Sequence, residues 1–527
     1  MKDDWNKLNS TIDGHLIRGK PPASVCYPQE PNYDSKACQK VIDSWTSSAW
    51  HGNDPVSINE PSLDGCFPVY PNGTSIYGDT SAGSKGCSSR EGPAFVVNAS
   101  SVSDVAAGVS FARKHSLRLN VKNTGHGRSS IPGSLSIWTH HFREKTFHDN
   151  YTPQGYSGTA NVSHMAITLG AGIMDGEAFE FAAEHNAVVV GGTDSTVGLV
   201  GWGGAGGHGY LTGVYGMGAD NFLEATVVLP SGEAIIANEY QNQDVFWAIR
   251  GGGAGTWGVI TSVTVKAYLM PDTAFWSLTL SAQNGTTAEQ WYKDVANVFA
   301  DYPRLKSQGL SGYLTLSGPP MMMTNAMWAF DMSTDAIKEI IEPLVEQLDI
   351  RNSTVKVDSE VSSFGKWINF YQHFNLTQSV GGGQNKVSAS RLLPAKSMVD
   401  VNAIAEMLLN AGPGTDKPDV SIGVESPCPD GTKTNLQSLQ ATQRSGRSIS
   451  GTATGSSVAV DNGLNPAWRD TIIHFIANEA YPADVSSELA DAITSDMSDT
   501  AYKLRELAPD SGAYINEVRE SPLPARR

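Results

Sequence analysis

The stretch that decides the fold of this chain is Val121-Lys122-Asn123-Thr124-Gly125-His126-Gly127-Arg128-Ser129-Ser130. It follows a predicted β-α-β unit over 94–121, whose helix begins at the capping-box pattern Ser101-Val102-Ser103-Asp104. A loop of small residues in this place presents consecutive backbone N–H groups, which together form an anion-binding nest that can bind a diphosphate. Arg128 and the hydroxyl groups of the loop are further hydrogen-bond donors. His126 stands between two glycines and is exposed to whatever the loop holds. The plainer interpretation is a histidine in a surface loop.

Two matches to G-x-G-x-x-G, at 204–209 and 253–258, do not indicate a nicotinamide dinucleotide site. That motif must follow a strand and open a helix. The second match instead opens the predicted strand 259–265, and the first lies inside a long glycine-rich stretch, 191–218. The chain also has no His-Glu-x-x-His, Gly-x-Ser-x-Gly or Cys-x-x-Cys pattern. We therefore expect no metal site and no serine-esterase chemistry.

Length and composition place limits on the class of protein. The chain has 527 residues, 40% hydrophobic and 17% charged, which is enough for two domains. Its net charge of −17, without a dense Lys/Arg stripe, argues against a nucleic-acid partner and against anionic membrane surfaces. No apolar run reaches the roughly 18 residues of a transmembrane helix, so no membrane partner is expected.

The cysteines suggest an oxidising compartment. Cys26, Cys38, Cys66 and Cys87 lie in the irregular, Pro/Gly/Ser-rich segment 1–91, and Cys428 is left over. Three pairings of the four are possible, and we favour Cys26–Cys38 with Cys66–Cys87 because both close short loops. Eight Asn-x-Ser/Thr sequons give mild support for secretion. The chain begins without an apolar leader, so either its signal peptide is not part of this sequence or the protein is not secreted. We favour a secretory-pathway or extracellular protein.

The pattern changes after Pro271, where the glycine clusters thin out. Apolar residues at i, i+3, i+4 spacing predict a helix from Thr334, in which Pro343 predicts a kink or a break. Asn465-Pro466 resembles a helix N-terminus and predicts a helix through Ile476. Strand-like runs at 275–280 and 313–316 lie between, so the second domain is predicted to be α+β.

Three ordered motifs resemble those of the vanillyl-alcohol-oxidase/berberine-bridge superfamily, and the cysteine-bearing arm resembles its fungal, secreted branch. The motifs are 121–130, which is similar to the family's flavin diphosphate loop, then 206–209 with 215–220, and 244–253 with 258–261. The resemblance implies an α+β fold, a two-part FAD-binding domain of the PCMH type with an inserted substrate domain on an antiparallel sheet. The implied domains are a disulfide-stapled arm (1–91), an FAD-binding domain (92–270), a substrate-binding domain (271–496) and a shortened C-terminal segment returning to the FAD domain (497–527).

The resemblance also implies the residues that contact FAD. These are Asn123, Thr124, Gly125, His126, Gly127, Arg128, Ser129, Ser130, Thr193, Asp194, Thr196, Val197, Gly198, Gly206, Gly207, His208, Gly209, Gly258, Val259, Ile260, Tyr514 and Asn516. In the family, the residue that matches His126 carries FAD through the flavin 8α-methyl group. Relatives with a doubly linked flavin have a Cys where this chain has Asp194, so a single covalent link through His126 is expected.

A base is implied near the end of the chain. Tyr514-Ile515-Asn516-Glu517 resembles the start of the family's terminal block, and the chain ends sooner after it than relatives do. By resemblance, Tyr514 takes the proton of a substrate hydroxyl. A free phenol has a pKa of about 10, so neighbouring groups must activate it. A packed aromatic residue is the equally plain interpretation of Tyr514, and His208 is interpreted as a loop residue.

The function that the resemblance implies is an FAD-dependent oxidoreductase. A hydride would pass from a substrate C–H to flavin N5, and dioxygen would take the electrons and give hydrogen peroxide. The partners would be O₂ and a small molecule: an alcohol, a carbohydrate or a secondary-metabolite intermediate. Two alternatives stay open. One is an FAD-binding pseudo-enzyme with little turnover, and the other is a dehydrogenase that uses another acceptor.

Overall fold

A computed structural model describes residues 2–59, 66–87, 92–127, 131–159, 162–350, 353–374, 385–413, 447–481 and 487–517. The chain divides into two compact units. The first comprises Met1–Asp272, Gly365–Gly383 and Gly455–Arg469, and the second comprises Thr273–Phe364, Gln384–Thr454 and Asp470–Arg527. Both units mix helices with largely antiparallel sheets, which confirms the α+β class.

The first unit contains two sheets. Its strands are β1 (Leu16–Arg18), β2 (Phe95–Asn98), β3 (Leu119–Lys122), β4 (Leu135–Trp138), β5 (Lys145–Tyr151), β6 (His164–Gly170), β7 (Ala187–Val189), β8 (Phe222–Val228), β9 (Ala234–Asn238) and β10 (Val259–Leu269). The smaller sheet has the order β1-β2-β4-β3, in which β4 is parallel to β2 and β3. The larger has the order β5-β6-β10-β8-β9, with β7 also paired to β10, and its pairings are antiparallel.

Short helices surround these sheets. In the first unit they are Lys2–Thr11, Ser35–Ser44, Ser48–Gly52, Ala82–Lys85, Val102–Lys114, Asp175–Glu184, Leu199–Gly204, Thr212–Tyr215, Gln243–Ile249 and Trp367–Phe374, with 3₁₀ turns at Pro22–Cys26, Gly218–Asn221 and Pro466–Arg469. The predicted β-α-β unit is confirmed: Ser101 and Asp104 form the capping box of Val102–Lys114, and Val105 and Val109 are buried on that helix. These contacts fix the end of β3, from which the 123–127 loop leaves.

The N-terminal arm is more ordered than expected. The prediction of an irregular segment over 1–91 is wrong for the described residues, since they include helices and the strand β1, which pairs with β2. The local Pro/Gly/Ser content hid the helix Ser35–Ser44, which is capped by the Asp34 side chain. The predicted disulfide pairing is confirmed, with bonds Cys26–Cys38 and Cys66–Cys87.

The second unit is built on one seven-stranded sheet. Its strands are β11 (Asp272–Ala282), β12 (Ser311–Ser317), β13 (Met322–Phe330), β14 (Val355–Lys366), β15 (Asn385–Pro394), β16 (Arg447–Thr452) and β17 (Thr471–Tyr481). They lie in the order β14-β11-β13-β12-β16-β17-β15, and the neighbours from β11 to β15 are antiparallel. The helices are Ala288–Ser307, Thr334–Asp349, Val401–Ala411 and Ser487–Leu507, with 3₁₀ turns at Ala395–Met398 and Ile515–Glu517.

Two sequence predictions need correction here. The helix predicted from Asn465 through Ile476 is wrong, because only the turn Pro466–Arg469 forms and β17 follows. Periodicity alone cannot separate a short buried strand from a helix, and the β-branched run around Ile473 pairs with β15 and β16. The helix Thr334–Asp349 continues through Pro343, so of the two predicted outcomes, a kink or a break, the break does not occur.

The segment after residue 497 groups with the second unit rather than with the unit that holds residues 92–270. Its contacts with β15 give the reason. The Arg391 guanidinium donates to the carbonyl of Ala508, and the N–H of Leu392 donates to the carbonyl of Gly512 at 2.9 Å. The functional roles assigned to the domains remain predictions. None of the helices in the described ranges has the length and hydrophobicity needed to cross a bilayer.

Candidate functional site

The loop that follows β3 holds the predicted diphosphate residues. Gly125 has φ +89°, a conformation that side chains rarely adopt, and a Cβ there would lie 3.1 Å from Ile58 Cα. The Asn123 side chain donates to the Ala171 carbonyl at 3.0 Å and so ties the loop to the end of β6. Gly127 is exposed. Arg128, Ser129 and Ser130 lie outside the described residues.

His126 stands in a half-buried polar cluster with Thr196 and Asn59. Its Nε2 lies 2.7 Å from Thr196 Oγ1. The Thr196 hydroxyl and backbone N–H both donate to Asp194 Oδ1, at 2.7 and 2.9 Å. On the other side of the ring, Asn59 Nδ2 lies 3.1 Å from His126 Nδ1 and 3.2 Å from Nε2. The structure therefore brings the predicted residues of the 123–127 and 193–198 loops together around one imidazole.

Asp175, the first residue of the helix Asp175–Glu184, fixes the 191–198 loop by hydrogen bonds. The backbone N–H of Asp175 donates to the carbonyl of Val197 at 2.8 Å, and Asp175 Oδ2 accepts from the N–H of Gly192 at 2.9 Å. The carboxyl group of Asp175 is fully buried, and this desolvation raises its pKa well above the usual range. Thr193 lies half-buried in the bend before Asp194, and Gly198 packs on the Asn123 side chain.

The predicted residues 206–209 lie beside this loop. A Cβ on Gly209 would sit 1.9 Å from the carbonyl oxygen of Gly191, so only glycine allows the two backbones to approach this closely. Gly206 and Gly207 accept hydrogen bonds through their carbonyls from Ala219 and Gly218. The His208 carbonyl accepts from the Trp202 indole at 3.0 Å, and the His208 ring stacks on Trp468.

The predicted residues 258–260 begin β10, where Val259 and Ile260 are buried and pair with β8. The next residue, Thr261, accepts through its carbonyl from the N–H of Ala171 at 2.9 Å. Because Ala171 also accepts from Asn123, the start of β10 connects to the 123–127 loop.

The buried Lys122 at the end of β3 binds the N-terminal arm, which carries Asn59. Lys122 Nζ donates to the carbonyls of Asp54, His51 and Gly52, at 2.8, 3.3 and 3.4 Å. Burial lowers the pKa of Lys122 to about 7. These bonds hold the helix Ser48–Gly52 against the end of β3, and Asn59 follows that helix closely along the chain.

The predicted base, Tyr514, lies in a polar group of the second unit. Tyr514 is buried, and its ring lies edge-on to the ring of His474, which is fully buried. His474 Nε2 lies 3.0 Å from Ser390 Oγ on β15, and His474 Nδ1 lies 3.0 Å from a carboxylate oxygen of Glu517. Asn516 lies in the turn Ile515–Glu517, but its side chain is outside the described residues.

Sequence reasoning missed Asn59, Lys122 and His474. Asn59 lies in the arm, where the cysteines and sequons indicate a compartment but not a contact with His126. Lys122 lies in the motif 121–130, where nothing in the local sequence indicates its buried contacts with the carbonyls of 51–54. His474 lies within the predicted 465–476 helix, and only the register of a strand places it opposite Leu392, two residues from Ser390 on β15.

The described residues fit a large, diphosphate-bearing cofactor such as FAD. The glycine-rich loops leave the backbone accessible to a ligand at close range, and a potentially nucleophilic imidazole lies within them. The side-chain oxygen of Asn59 is buried and has no hydrogen-bond partner among the described residues, as expected of an acceptor that awaits a ligand donor.

Comparison with known proteins agrees with this geometry. A family model described as an FAD binding domain matches residues 93–238. The FAD-linked oxidoreductase hmp9 of Hypomyces subiculosus is 30% identical over 97% of this chain and 79% of its own length. An uncharacterized FAD-linked oxidoreductase of Arthroderma benhamiae is 29% identical over 98% of this chain and 84% of its own length.

Among solved structures, the VAO-type flavoprotein MtVAO713 of Myceliophthora thermophila C1 is similar with a TM-score of 0.83 at 25% identity, over 98% of this chain and 88% of its own. The chain thus belongs to the FAD-linked oxidoreductases of the vanillyl-alcohol-oxidase (VAO) type, enzymes built on the α+β FAD-binding fold that the sequence motifs predict.

Proposed function

We propose that the protein is an FAD-dependent oxidase that carries its cofactor on His126 and oxidises a small molecule at a C–H bond. The cluster of His126 with Asn59 and Thr196 is the observation that carries this proposal. When bound, FAD supplies the hydride acceptor, and dioxygen is the proposed final electron acceptor, giving hydrogen peroxide. The substrate class is an alcohol, a carbohydrate or a secondary-metabolite intermediate.

The loops around His126 are proposed to hold the cofactor. Backbone N–H groups of 123–130 would contact the diphosphate, while 193–198, 206–209 and 258–260 would contact the rest of FAD. A single covalent link is proposed, because Asp194 offers no thiol for a second one. The two disulfides of the arm support a secretory or extracellular location, since such bonds persist in oxidising compartments.

Tyr514 is proposed to accept the proton of the substrate hydroxyl as the hydride leaves. His474, which is fully buried and lies 3.0 Å from a carboxylate oxygen of Glu517, supports this role, because an imidazolium that is paired with a carboxylate beside the Tyr514 ring would stabilise the phenolate. Tyr514→Phe removes the acceptor with almost no change in volume. We expect kcat to fall about a hundredfold or more in this variant. A variant that keeps the wild-type kcat and pH profile would exclude Tyr514 as the base.

The test of the covalent link begins with protein secreted from a eukaryotic host and precipitated with acid. Yellow flavin should stay in the pellet, and the flavin-bearing peptide should contain His126. His126→Ala should release all flavin to the supernatant, whereas His141→Ala, which alters an exposed imidazole, should not. Flavin retained in the pellet of the His126→Ala protein would refute the link.

The oxidase reaction is tested separately with a panel of alcohols, sugars and phenolic intermediates. Substrate-dependent consumption of dioxygen with formation of hydrogen peroxide is the expected result. Fast flavin bleaching by a substrate, followed by slow recovery in air, would identify a dehydrogenase instead.

A further inference from the structure

We propose that Thr196 and Asp194 prepare His126 for attachment to FAD by fixing its tautomer and taking up its proton. This role rests on the proposed function and extends it to two further residues of the same loop. Both act on the cofactor through His126, so they are positioning residues.

The hydrogen-bond directions follow from counting protons. Asp194 Oδ1 accepts from the Thr196 backbone N–H at 2.9 Å and from the Thr196 hydroxyl at 2.7 Å. A threonine hydroxyl has one proton, and here that proton points at Asp194. Thr196 Oγ1 can therefore only accept from His126 Nε2, which lies 2.7 Å away. The relay Asp194–Thr196–His126 thus places the single ring proton of a neutral imidazole on Nε2.

The other ring nitrogen is then the nucleophile. With the proton on Nε2, the in-plane electron pair of the ring lies on Nδ1. Asn59 Nδ2 lies 3.1 Å from Nδ1 and 3.2 Å from Nε2, and with the ring proton on Nε2 only Nδ1 can accept a hydrogen bond from it. That bond is between neutral groups and is weaker than the hydrogen bonds accepted by the Asp194 carboxylate. It is the one that is given up when Nδ1 forms a covalent bond.

Covalent attachment would release two protons and one electron pair. His126 Nδ1 would form a bond to the 8α carbon of bound FAD, and one C–H bond of the 8α-methyl group would break, with its hydrogen leaving as a proton. The second proton leaves His126 Nε2 along Thr196 toward Asp194. Bound FAD would take up the electron pair, and dioxygen, the proposed final acceptor, would receive it with two protons and give hydrogen peroxide. A carboxylate that fixes a histidine tautomer and stabilises its cation is also the logic of the serine-protease triad.

The experiment follows the growth of acid-precipitable flavin after FAD is added to protein produced under riboflavin limitation. Thr196→Val replaces the hydroxyl with a methyl group of similar size. We expect covalent attachment about a hundredfold slower than in the wild type, the lower end of what a positioned proton acceptor contributes. Thr196→Ser should restore the rate to within about twofold, because it restores the hydroxyl.

Asp194→Asn separates charge from geometry. The carboxamide oxygen can still accept from Thr196, so the tautomer is kept while the negative charge is lost. We expect an attachment rate between those of the wild type and Thr196→Val. Thr11→Val makes the same change of hydroxyl to methyl at an exposed residue of the helix Lys2–Thr11, away from the proposed cofactor loops, and serves as the matched control for Thr196→Val, with the wild-type rate expected.

Two further readouts separate this role from simple support of the loop. Non-covalently bound FAD, measured in the native protein before acid treatment, should be retained in Thr196→Val. The linkage isomer, determined by NMR on the isolated flavin peptide, should be Nδ1 in the wild type. A bond at Nε2, or attachment at the wild-type rate in Thr196→Val, would overturn this role alone. A wild-type protein without any acid-stable flavin would overturn both this role and the proposed covalent link.

Discussion

Replacement of Arg469 by methionine would leave a carboxylate buried without its cation. The side chain of Asp220 is only 1% exposed. Arg469 binds it through both ends of the guanidinium, with Nη1 2.6 Å from Oδ2 and Nη2 2.8 Å from Oδ1. The pair joins residues 455–469 to the glycine-rich part of the same unit. Methionine fills a similar length of the site but supplies neither the charge nor a donor.

The contacts of Asp220 determine how much stability Arg469→Met should lose. Removing one partner of a buried ion pair costs about 3–5 kcal/mol, because the remaining charge stays desolvated. Two donors to Asp220 survive the change: Asn462 Nδ2 at 2.7 Å and the backbone N–H of Met217 at 2.8 Å. They satisfy part of the carboxylate, so we expect the lower end, about 3 kcal/mol.

Hydrogen exchange of the amides in 217–222 measures this loss directly, because it does not require the two units to unfold together. Lys85→Met is the control, since Lys85 pairs with Asp79 at 2.7 Å but is 67% exposed. Loss of such a pair should cost less than about 1 kcal/mol. If Arg469→Met and Lys85→Met lowered their local opening free energies equally, the buried pair would not carry the stability assigned to it. A double-mutant cycle with Asp220→Asn should give a coupling energy of about 2 kcal/mol.

Two further predictions concern the first unit. Burial lowers the pKa of His51 to about 4 in the folded state. As the pH falls below about 6.5, the unfolded chain therefore binds a proton at this histidine before the folded protein does. The free energy of unfolding should decrease as the pH falls from about 6.5 toward 4. His51→Gln should reduce this acid-dependent loss of unfolding free energy by about 3 kcal/mol, measured by denaturant titrations at several pH values. If the unfolding free energies of the wild type and of His51→Gln showed the same dependence on pH, this role of His51 would be disproved. Gly209→Ala should lower both the thermal stability and the flavin content, because its Cβ would meet the Gly191 carbonyl. Gly201→Ala, which adds a Cβ where no atom lies within 4 Å, should change neither quantity. Equal behaviour of the two variants would contradict the packing described.

The features that were predictable from the sequence are those that depend on local chemistry. The capping box at Ser101, the small residues around His126 and the closure of short loops by Cys26–Cys38 each act within a short stretch of chain, so their residue types reveal them. The pairing of Thr196 with His126 spans 70 residues, and only the family resemblance placed both near FAD.

The features that the sequence did not reveal depend on distant partners. Lys122 looks like an ordinary motif residue until the carbonyls of 51–54 surround it. Asn59 reaches His126 only because the arm is held there. The helix predicted over 465–476 is wrong for a similar reason. Asn465-Pro466 favours a helix locally, whereas pairing with β15 and β16 stabilises the strand β17.

The bond between Asp220 and Arg469 has a consequence for biosynthesis. Its partners are separated by 249 residues, and translation at about 5–20 residues per second needs roughly 12–50 s to cover that distance. Throughout this interval the nascent chain holds the acidic residue without its cation, and a fragment that ends near residue 272 never acquires it. The first unit therefore reaches its final form only when synthesis is nearly finished, so chaperones that shield incomplete chains in the cell have a long period in which to act on it.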